Sequence, residues 1–446
     1  ADKLSGVLGS ESPQLLVEHT YNPIHRRYQY DPAGELVRTL DKLRGEIKYE
    51  YEANGQLHSR DTGKLVDSEE FRYDAAANRL NFNTSRFDHV KDNRLKQWRD
   101  QEYTYDAWGN LIEKRSGLAK WQTFTYDCEN RLVRAETMLN SQLHSTGTYQ
   151  YDSLGRRIGK TSITDGKTEH KNFLWQGLRM LREEQPGQSS LYIYEPGSYA
   201  PLSRVDQKEG EAENKVYYFH TDQIGTPLEM TDIDGQIVWQ ATYKAWGSLE
   251  ALIVNEVEQN LRFQGQYFDE ETGLHYNTFR YYDPEVARFI TQDPIGLRGG
   301  INIYQYALNP IAYIDPLGLA FSSGKGTHNA IATLYDGNGN VKATGAWQSG
   351  NMTPDEAALG FPKSTLATHT EARITRELHP IAVPGDRLVI EGEYPPCNSC
   401  KGKMNAFKSA TGADVEYKWS ASDGNSVEAW NAKTRKTQKI SGPGCG

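Results

Sequence analysis

Tyr105-Asp106-Ala107-Trp108-Gly109-Asn110-Leu111 is the stretch that decides the fold of the first part of this chain, because it recurs. Further copies pair Tyr with Asp or Glu and place Gly, Asn or Ala a few residues later; they begin at Tyr30, Tyr51, Tyr73, Tyr126 and Tyr151. Successive Tyr residues are 21, 22, 32, 21 and 25 positions apart. A repeat of this length indicates supersecondary units that bury one face only by stacking on their neighbours.

Each copy predicts a β-hairpin. Tyr105 lies on a strand, Asp106 opens a turn through its side chain, Gly109 takes the positive φ of the turn, and Leu111 begins the return strand. The composition agrees, since 27 Tyr and 9 Trp in 446 residues favour pleated, half-buried surfaces. We therefore predict a β-rich body of stacked β-hairpins over residues 1–261.

A second pattern indicates a metal centre. His369-Thr370-Glu371 is followed by Pro396-Cys397-Asn398-Ser399-Cys400, which is the His-x-Glu and Pro-Cys-x-x-Cys order of the zinc nucleobase deaminases. His369, Cys397 and Cys400 supply the nitrogen and sulfur ligands that Zn²⁺ prefers, with a fourth position left for water. Glu371 is then the catalytic residue, which carries protons without binding the metal.

Local physical chemistry fits this spacing, although other interpretations stay open. Thr368 is suited to cap a helix that holds His369 in its first turn, and Pro396 is suited to the first position of a second helix. Thr368 to Glu371 also fits a capping box, in which the carboxylate only bonds backbone. The cysteines also fit a redox pair, or a structural zinc site with His379 or Cys445 as fourth ligand.

The repeats resemble the YD-repeat, or Rhs, proteins. The similarity extends from about residue 20 to 319 and is most specific in 262–319, which includes Arg262-Phe263-Gln264-Gly265-Gln266-Tyr267 and Arg280-Tyr281-Tyr282-Asp283-Pro284. It implies that the hairpins wind into a hollow YD-repeat β-shell that encloses a C-terminal toxin. The stretch 262–319 is then the end of the conserved core.

Two similar motifs lie in this core end, Asp293-Pro294-Ile295-Gly296-Leu297 and Asp315-Pro316-Leu317-Gly318-Leu319. Each motif alone is explained by turn chemistry. Two carboxylates that meet can instead share a proton and act as acid and base toward a peptide bond. The Rhs resemblance implies this second interpretation: Asp293 and Asp315 form the catalytic pair, the chain cuts itself between Leu319 and Ala320, and Arg288 positions one carboxylate.

Composition changes after Leu319, and residues 320–446 are predicted to form a separate α/β domain. The pattern predicts two strands over 330–347, a helix over 366–378, a strand from 387, a helix over 396–410 and a strand over 415–419. With the metal motif, this domain resembles the cytidine-deaminase-like polymorphic toxins, in which a mixed sheet is flanked by helices. Stacking and hydrogen bonding to a base are then assigned to Trp347, Asn351 and Trp419, whose alternative role is in the core or in a turn.

Charge and composition limit the possible functions. Residues 320–446 hold 14 Lys+Arg and 12 Asp+Glu, whereas the whole chain has a net charge of -9. Four Cys are too few for a disulfide scaffold, and no apolar stretch has the length of a membrane span. The basic run from Lys433 to Lys439 is suited to phosphate, or is a solvated end.

The resemblance implies a secreted antibacterial toxin that acts in the cytoplasm of a target cell. Its expected partners are nucleic acid, a cognate immunity protein, and a secretion apparatus or N-terminal delivery domains absent from this chain. Cytosine in single-stranded DNA is the favoured substrate. The alternatives are RNA, a free nucleotide, or a non-enzymatic YD-repeat adhesion or scaffold protein with a structural zinc tail.

Overall fold

The structure, a computed structural model, divides into two compact units. The first contains residues 1–29 and 37–324, and the second contains 30–36 and 325–446. The residues that it describes are 23–31, 34–80, 90–300, 302–319, 321–323, 329–349, 369–392, 396, 398–420 and 427–440.

Antiparallel strands in chain order dominate the first part of the described chain. A sheet is formed by β1–β5 (Arg26–Tyr30, Leu36–Asp41, Gly45–Tyr51, Leu57–Asp61 and Glu69–Glu70), and a short hairpin by β6 and β7 (Val90–Lys91 and Arg94–Leu95). A sheet of 15 described strands follows, β8–β22, in which each strand neighbours the next in sequence. Its strands are Gln97–Trp98, Gln101–Tyr105, Leu111–Ser116, Lys120–Tyr126, Leu132–Leu139, Gln142–Tyr151, Arg157–Thr164, Lys167–Gln176, Arg179–Gln185, Gln188–Tyr194, Pro201–Lys208, Lys215–Thr221, Pro227–Thr231, Ile237–Tyr243 and Leu249–Asn255.

The turn between β9 and β10 has the chemistry that the repeat predicts. Asp106 Oδ1 accepts a hydrogen bond from the Asn110 amide at 2.8 Å, and the Gly109 amide donates to the Asp106 carbonyl at 3.1 Å. Gly109 has φ +82°, and Asn130 takes the equivalent position at +60°. The prediction of stacked β-hairpins is therefore confirmed.

The repeat Tyr also joins each hairpin to the one before it. The Tyr126 hydroxyl donates to the Leu111 carbonyl at 2.6 Å, and the Tyr151 hydroxyl donates to the Leu132 carbonyl at the same distance. Burial is the main cause that raises the pKa of Tyr126 well above its usual value. The spacing of the repeat thus reflects a hydrogen bond from one copy to the start of the return strand in the preceding copy.

Removing this hydroxyl should loosen the stack. In Tyr126→Phe, the Leu111 carbonyl loses its donor in a largely dry environment, so we expect the free energy of unfolding of the first unit to fall by about 1–2 kcal/mol. Denaturant unfolding measures this change. Tyr218→Phe is the control, because Tyr218 is 45% exposed; an equal loss in both variants would contradict the role of the hydrogen bond.

The chain after β22 packs on the large sheet through buried charges. Asp269 accepts from Arg157 at 2.5 Å and from Lys160 at 2.9 Å, and Lys160 also contacts Glu271 at 2.8 Å. All four residues are less than a tenth exposed. Removing one member of such a network leaves an uncompensated buried charge, which typically costs about 3–5 kcal/mol. These pairs fix the core end against the repeats.

Short elements build this core end. A four-stranded sheet contains β23–β26 (Tyr267–Asp269, Leu274–Asn277, Arg280–Asp283 and Arg288–Phe289), and a 3₁₀ turn, Gly296–Arg298, follows. Next, β27 (Tyr313–Ile314) pairs with β28 (Ser322–Ser323) in antiparallel fashion.

The second unit contains a mixed sheet and, among its described residues, two helices. The strands are β29–β34 (Asn329–Tyr335, Val341–Gln348, Arg387–Gly392, Asp414–Ser420, Val427–Asn431 and Lys436–Ile440), in the order β30-β29-β31-β32-β33-β34. Strands β31 and β32 are parallel. The helices are α1 (Thr370–Leu378) and α2 (Asn398–Thr411).

The predicted α/β domain is confirmed, with two changes. Helix α1 begins at Thr370, with His369 extended before it; of the predicted start, 366–368 lie outside the described residues. The run from Lys433 to Lys439 is not a loose end, because β33 and β34 pair around it from Val427↔Ile440 to Asn431↔Lys436. Neither described helix is long and apolar enough to cross a membrane.

Candidate active sites

The two predicted aspartates meet in the core end of the first unit. Arg280 Nη2 lies 3.1 Å from Asp293 Oδ2 and 3.4 Å from Asp315 Oδ2. Asp293 is 7% exposed and Asp315 is 1% exposed. The guanidinium also lies 3.6 Å from the centre of the Phe289 ring, which shields it from water. One buried cation therefore joins two carboxylates that are 22 positions apart in sequence.

Leu319, whose carbonyl belongs to the predicted scissile bond, is held by the same groups. Its amide donates to Asp315 Oδ1 at 2.9 Å. A Cβ placed on Gly299 would overlap both Asp293 Oδ2 and the Leu319 carbonyl oxygen. Since both oxygens border the same small space, the Leu319 carbonyl oxygen lies beside the Asp293 carboxyl group.

The proton affinity of Asp293 is raised by its surroundings. Burial, with a smaller contribution from Asp315, raises the pKa of Asp293 to about 6, although Arg280 and the Ile295 amide act in the opposite direction. A carboxyl with this pKa is partly protonated in mildly acidic to neutral water. It can therefore donate a proton while a neighbouring carboxylate accepts one.

Arg288 does not take the role suggested for it. Its guanidinium donates to the Asn93 carbonyl and lies over the Tyr304 ring at 4.8 Å. Arg280, in the adjacent strand, contacts the two carboxylates instead. Both Arg belong to the segment that suggested the pair, and only the pairing of β25 with β26 distinguishes them. Ala320 lies outside the described residues.

The predicted metal residues also converge, in the second unit. His369, Glu371 and Cys400 each place a potential ligand atom within 4.8 Å of the other two. His369 Nδ1 is 3.1 Å from Cys400 Sγ. Glu371 and Cys400 are 2% and 3% exposed. A half-buried imidazole, a buried carboxylate and a buried thiol therefore share one small volume, in which they could hold a metal ion.

Two helix starts produce this convergence. His369 has an extended backbone, with φ -69° and ψ 142°, and directly precedes α1. Glu371 lies in the first turn of this helix. On α2, Cys400 begins the buried stripe that continues through Met404 and Phe407, at the spacing of one helical face. The helices pack on one another, so both N-terminal ends meet.

The described donors fit a zinc ion. An imidazole nitrogen and a thiol are the ligands that zinc prefers, and two ligands of one tetrahedral zinc lie roughly 3.6 Å apart, close to the observed separation of His369 and Cys400. Cys397 and Cys445 lie outside the described residues. His379 is at the far end of α1, where its ring contacts Phe407 at 6.2 Å; it is therefore not placed to complete the site.

Two of the predicted base-binding residues pack in or against the hydrophobic core of the second unit. Trp419 is 7% exposed and packs in the hydrophobic core of the unit, 6.1 Å from the Tyr417 ring. The Trp347 indole donates to Glu377 at 2.6 Å and packs partly against the same core. These contacts favour the core role for both side chains. Asn351 lies outside the described residues.

Comparisons with known proteins match both units. The sequence model of the family described as Teneurin YD-shell matches residues 27–310, and that of a Pput2613-like deaminase matches 320–439.

Curated relatives are longer than this chain. Double-stranded DNA deaminase toxin A of Burkholderia cenocepacia is 42% identical over 330 residues, covering 69% of this chain and 23% of that protein. Toxin protein Tse5 of Pseudomonas aeruginosa is 33% identical over 355 residues, covering 66% of this chain and 27% of its own. The chain thus spans about a quarter of the length of these relatives. A solved structure, TcdB2-TccC3-TEV, matches 66% of this chain and 18% of its own at 18% identity and a TM-score of 0.42.

Proposed function

Because this chain belongs to the Teneurin YD-shell family and ends in a deaminase-like domain, we propose that it is a delivered antibacterial toxin. Its C-terminal domain removes the amino group of cytosine in DNA. The observation that carries this proposal is the buried cluster of His369, Glu371 and Cys400. A structural tail has no need of a buried carboxylate beside two metal ligands, which argues against the adhesion alternative.

His369, Cys400 and Cys397 are the residues that would hold zinc, which supplies Lewis acidity when bound. Glu371 then moves the protons. Its carboxylate takes one from the attacking water, delivers it to N3 of cytosine, and returns a proton to the departing amino group. Water adds to C4, the C4–N4 bond breaks, and uracil and ammonia form. Because Glu371 is buried, the base must leave its stack to reach it.

Single-stranded and duplex DNA are the two candidate forms of the substrate. Single-stranded DNA is favoured by chemistry, since an unpaired base already exposes its ring carbon. The name of the Burkholderia relative, a double-stranded DNA deaminase toxin, supports duplex DNA as the second candidate. The purified chain incubated with matched single-stranded and duplex oligonucleotides, scored for uracil, separates them. Uracil in neither, with deamination of free cytidine nucleotides, would contradict a nucleic-acid substrate.

Zinc should be required for the integrity of this domain. In Cys400→Ser the thiol donor is lost, so we expect zinc to fall from one per chain to below about a tenth, and the second unit to melt earlier because metal binding contributes folding free energy. Elemental analysis and thermal unfolding measure the two effects. Cys128→Ser is the control, since Cys128 is exposed in the other unit. Stoichiometric zinc in Cys400→Ser would rule out this ligand set.

We further propose that the first unit cuts the chain between Leu319 and Ala320. The Asp315 carboxylate accepts a proton from water, which attacks the Leu319 carbonyl carbon. Asp293 donates a proton to the carbonyl oxygen. Asp315 then passes its proton to the Ala320 nitrogen, the C–N bond breaks so that Ala320 leaves as an amine, and the new Leu319 carboxyl group returns a proton to Asp293. Arg280, in contact with both carboxyl groups, favours one negative charge beside it, and burial raises the pKa of Asp293, which favours Asp293 as the proton donor.

The cutting rate should depend on pH. Protonated Asp293 is present below its pKa of about 6, so we expect a maximal rate in mildly acidic solution and a roughly tenfold fall per pH unit above pH 7. Denatured chain, refolded by dilution into buffers from pH 5 to 9 and sampled by electrophoresis, gives this profile. A rate that rises steadily with pH would show that Asp293 is not the acid.

A toxin of this kind would need to be delivered to its target cell and kept inactive before release. The toxin would act in the cytoplasm of a target cell, and it would need a secretion apparatus or delivery domains outside this chain. A producing cell would need an immunity protein that covers the cluster at His369. Enclosure by the β-shell would keep the uncut protein less active than the released domain.

A further inference from the structure

Residues after the proposed cut remain part of the first unit. β28 (Ser322–Ser323) pairs antiparallel with β27, Ser322 opposite Ile314 and Ser323 opposite Tyr313. Residues 321–323 are therefore assigned to the first compact unit. In sequence, the predicted cut after Leu319 therefore falls between two strands that pair with one another.

An aromatic contact adds to the backbone pairing. The Phe321 ring lies 5.7 Å from the Tyr313 ring at 77°, an edge-to-face arrangement that typically stabilises beyond burial alone. Both rings pack on one hydrophobic cluster of the core end. Its buried members are Ile224, Phe263, Tyr282, Phe289, Tyr306, Ala307 and Ile314.

The same cluster supports the catalytic groups. Phe289 lies under the Arg280 guanidinium at 3.6 Å, and Ile314 immediately precedes Asp315. A chain seated on Tyr313 and Ile314 is thus placed in register with the carboxylates. Moving Phe321 off the cluster would displace the loop that presents the Leu319 carbonyl.

We propose that Tyr313, Ile314 and this cluster form a peptide-binding site. Its ligand is an extended segment with an aromatic residue two positions after the cut, and residues 321–323 of this chain occupy it. The inference rests on the proposed self-cleavage and extends it. The site positions the scissile bond, and afterwards it holds the released fragment by its new N-terminal strand.

The chemistry of the cut leaves this site intact. Hydrolysis adds one water, creating a Leu319 carboxylate and an Ala320 amine, while the pairing of β27 with β28 involves neither new terminus. Release of the toxin then requires the withdrawal of this strand in addition to the cleavage of one bond. This withdrawal is independent of the catalytic aspartates.

Dissociation of the cut chain tests the proposal. The complete chain is allowed to cut, immobilised through a tag at residue 1, and washed while release of the C-terminal fragment is followed. We expect Phe321→Ala to speed release by at least about tenfold and to slow the cut, and Phe321→Tyr to behave as wild type. Unchanged release and cutting in Phe321→Ala would overturn the proposal.

A backbone variant provides a second test. Replacing Ser322 and Ser323 together by Pro removes both amide donors, whereas replacing both by Ala keeps them. Faster release in the Pro pair alone supports strand pairing. Equal release in the Pro and Ala pairs argues against it.

Amide hydrogen exchange in an uncut chain tests the peptide-binding site independently of self-cleavage. In uncut Asp293→Asn chain, the amides of 321–323 should exchange slowly, and Phe321→Ala in that background should speed their exchange. Wild-type chain that never cuts would refute the self-cleavage, while protected amides would still support the peptide site. Rapid exchange in the uncut chain would refute the site.

Discussion

Replacing Glu371 by glutamine is expected to lower deamination by about 10²- to 10⁴-fold, the usual contribution of a positioned acid–base group. Glutamine keeps the size and burial of the side chain but cannot carry a proton between water and the base. Zinc content and melting temperature should stay near those of wild type, because Glu371 is assigned no bond to the metal. The measurement is uracil formed in an oligonucleotide, with metal content determined on the same sample.

Glu377→Gln is the matched control, on the same helix. Glu377 is exposed and accepts the Trp347 indole, so we expect nearly full activity. Two outcomes would contradict the role of Glu371. Loss of zinc in Glu371→Gln would make the carboxylate a ligand, and full activity would leave it as an acidic residue in the first turn of α1, where it interacts favourably with the helix dipole.

The repeats were predictable because their chemistry is local. Asp106, Gly109 and Leu111 act within one turn, so the conformation of the turn follows from their order in the sequence. The hydrogen bond from Tyr126 to Leu111 spans only one repeat, so it joins neighbouring copies at their regular spacing. The same holds for the predicted metal residues, because His369 directly precedes α1 and Cys400 lies in the first turn of α2.

Two residues of the predicted cleavage site, Arg280 and Gly299, were not identified from the sequence, because they contact groups that are far from them along the chain. Arg280 and Arg288 are equally suited to an aspartate pair, and only the strand pairing places Arg280 between Asp293 and Asp315. Gly299 gives no signal either, since its φ of -79° is ordinary and its importance comes from Leu319 lying above it. Strand β34 was missed because its residues 436–439 are all exposed, so it lacks the alternation of apolar residues that predicts a strand.

Replacing Asp293 by asparagine is expected to leave the chain uncut, with a rate lower by about 10²-fold or more. Asparagine has no acidic proton to give to the Leu319 carbonyl oxygen, whereas the fold should tolerate it because the amide oxygen still accepts from Ile295. Intact-mass measurement of freshly purified protein distinguishes one chain from two fragments that end at Leu319 and begin at Ala320. Asp315→Asn should behave similarly, since it removes the base.

Two further variants separate catalysis from turn chemistry. Asp232→Asn changes an aspartate that caps a turn in the same way, through Oδ1 and the Asp234 amide, and it should cut normally. Gly299→Ala keeps both carboxylates, and its backbone conformation admits alanine, but the new Cβ would enter the space shared by Asp293 and the Leu319 carbonyl. We expect it to cut slowly and to lose about 1–3 kcal/mol of stability from this overlap. Normal cutting in Gly299→Ala would place the reacting carbonyl elsewhere, and normal cutting in Asp293→Asn would remove the carboxylate pair from the reaction altogether.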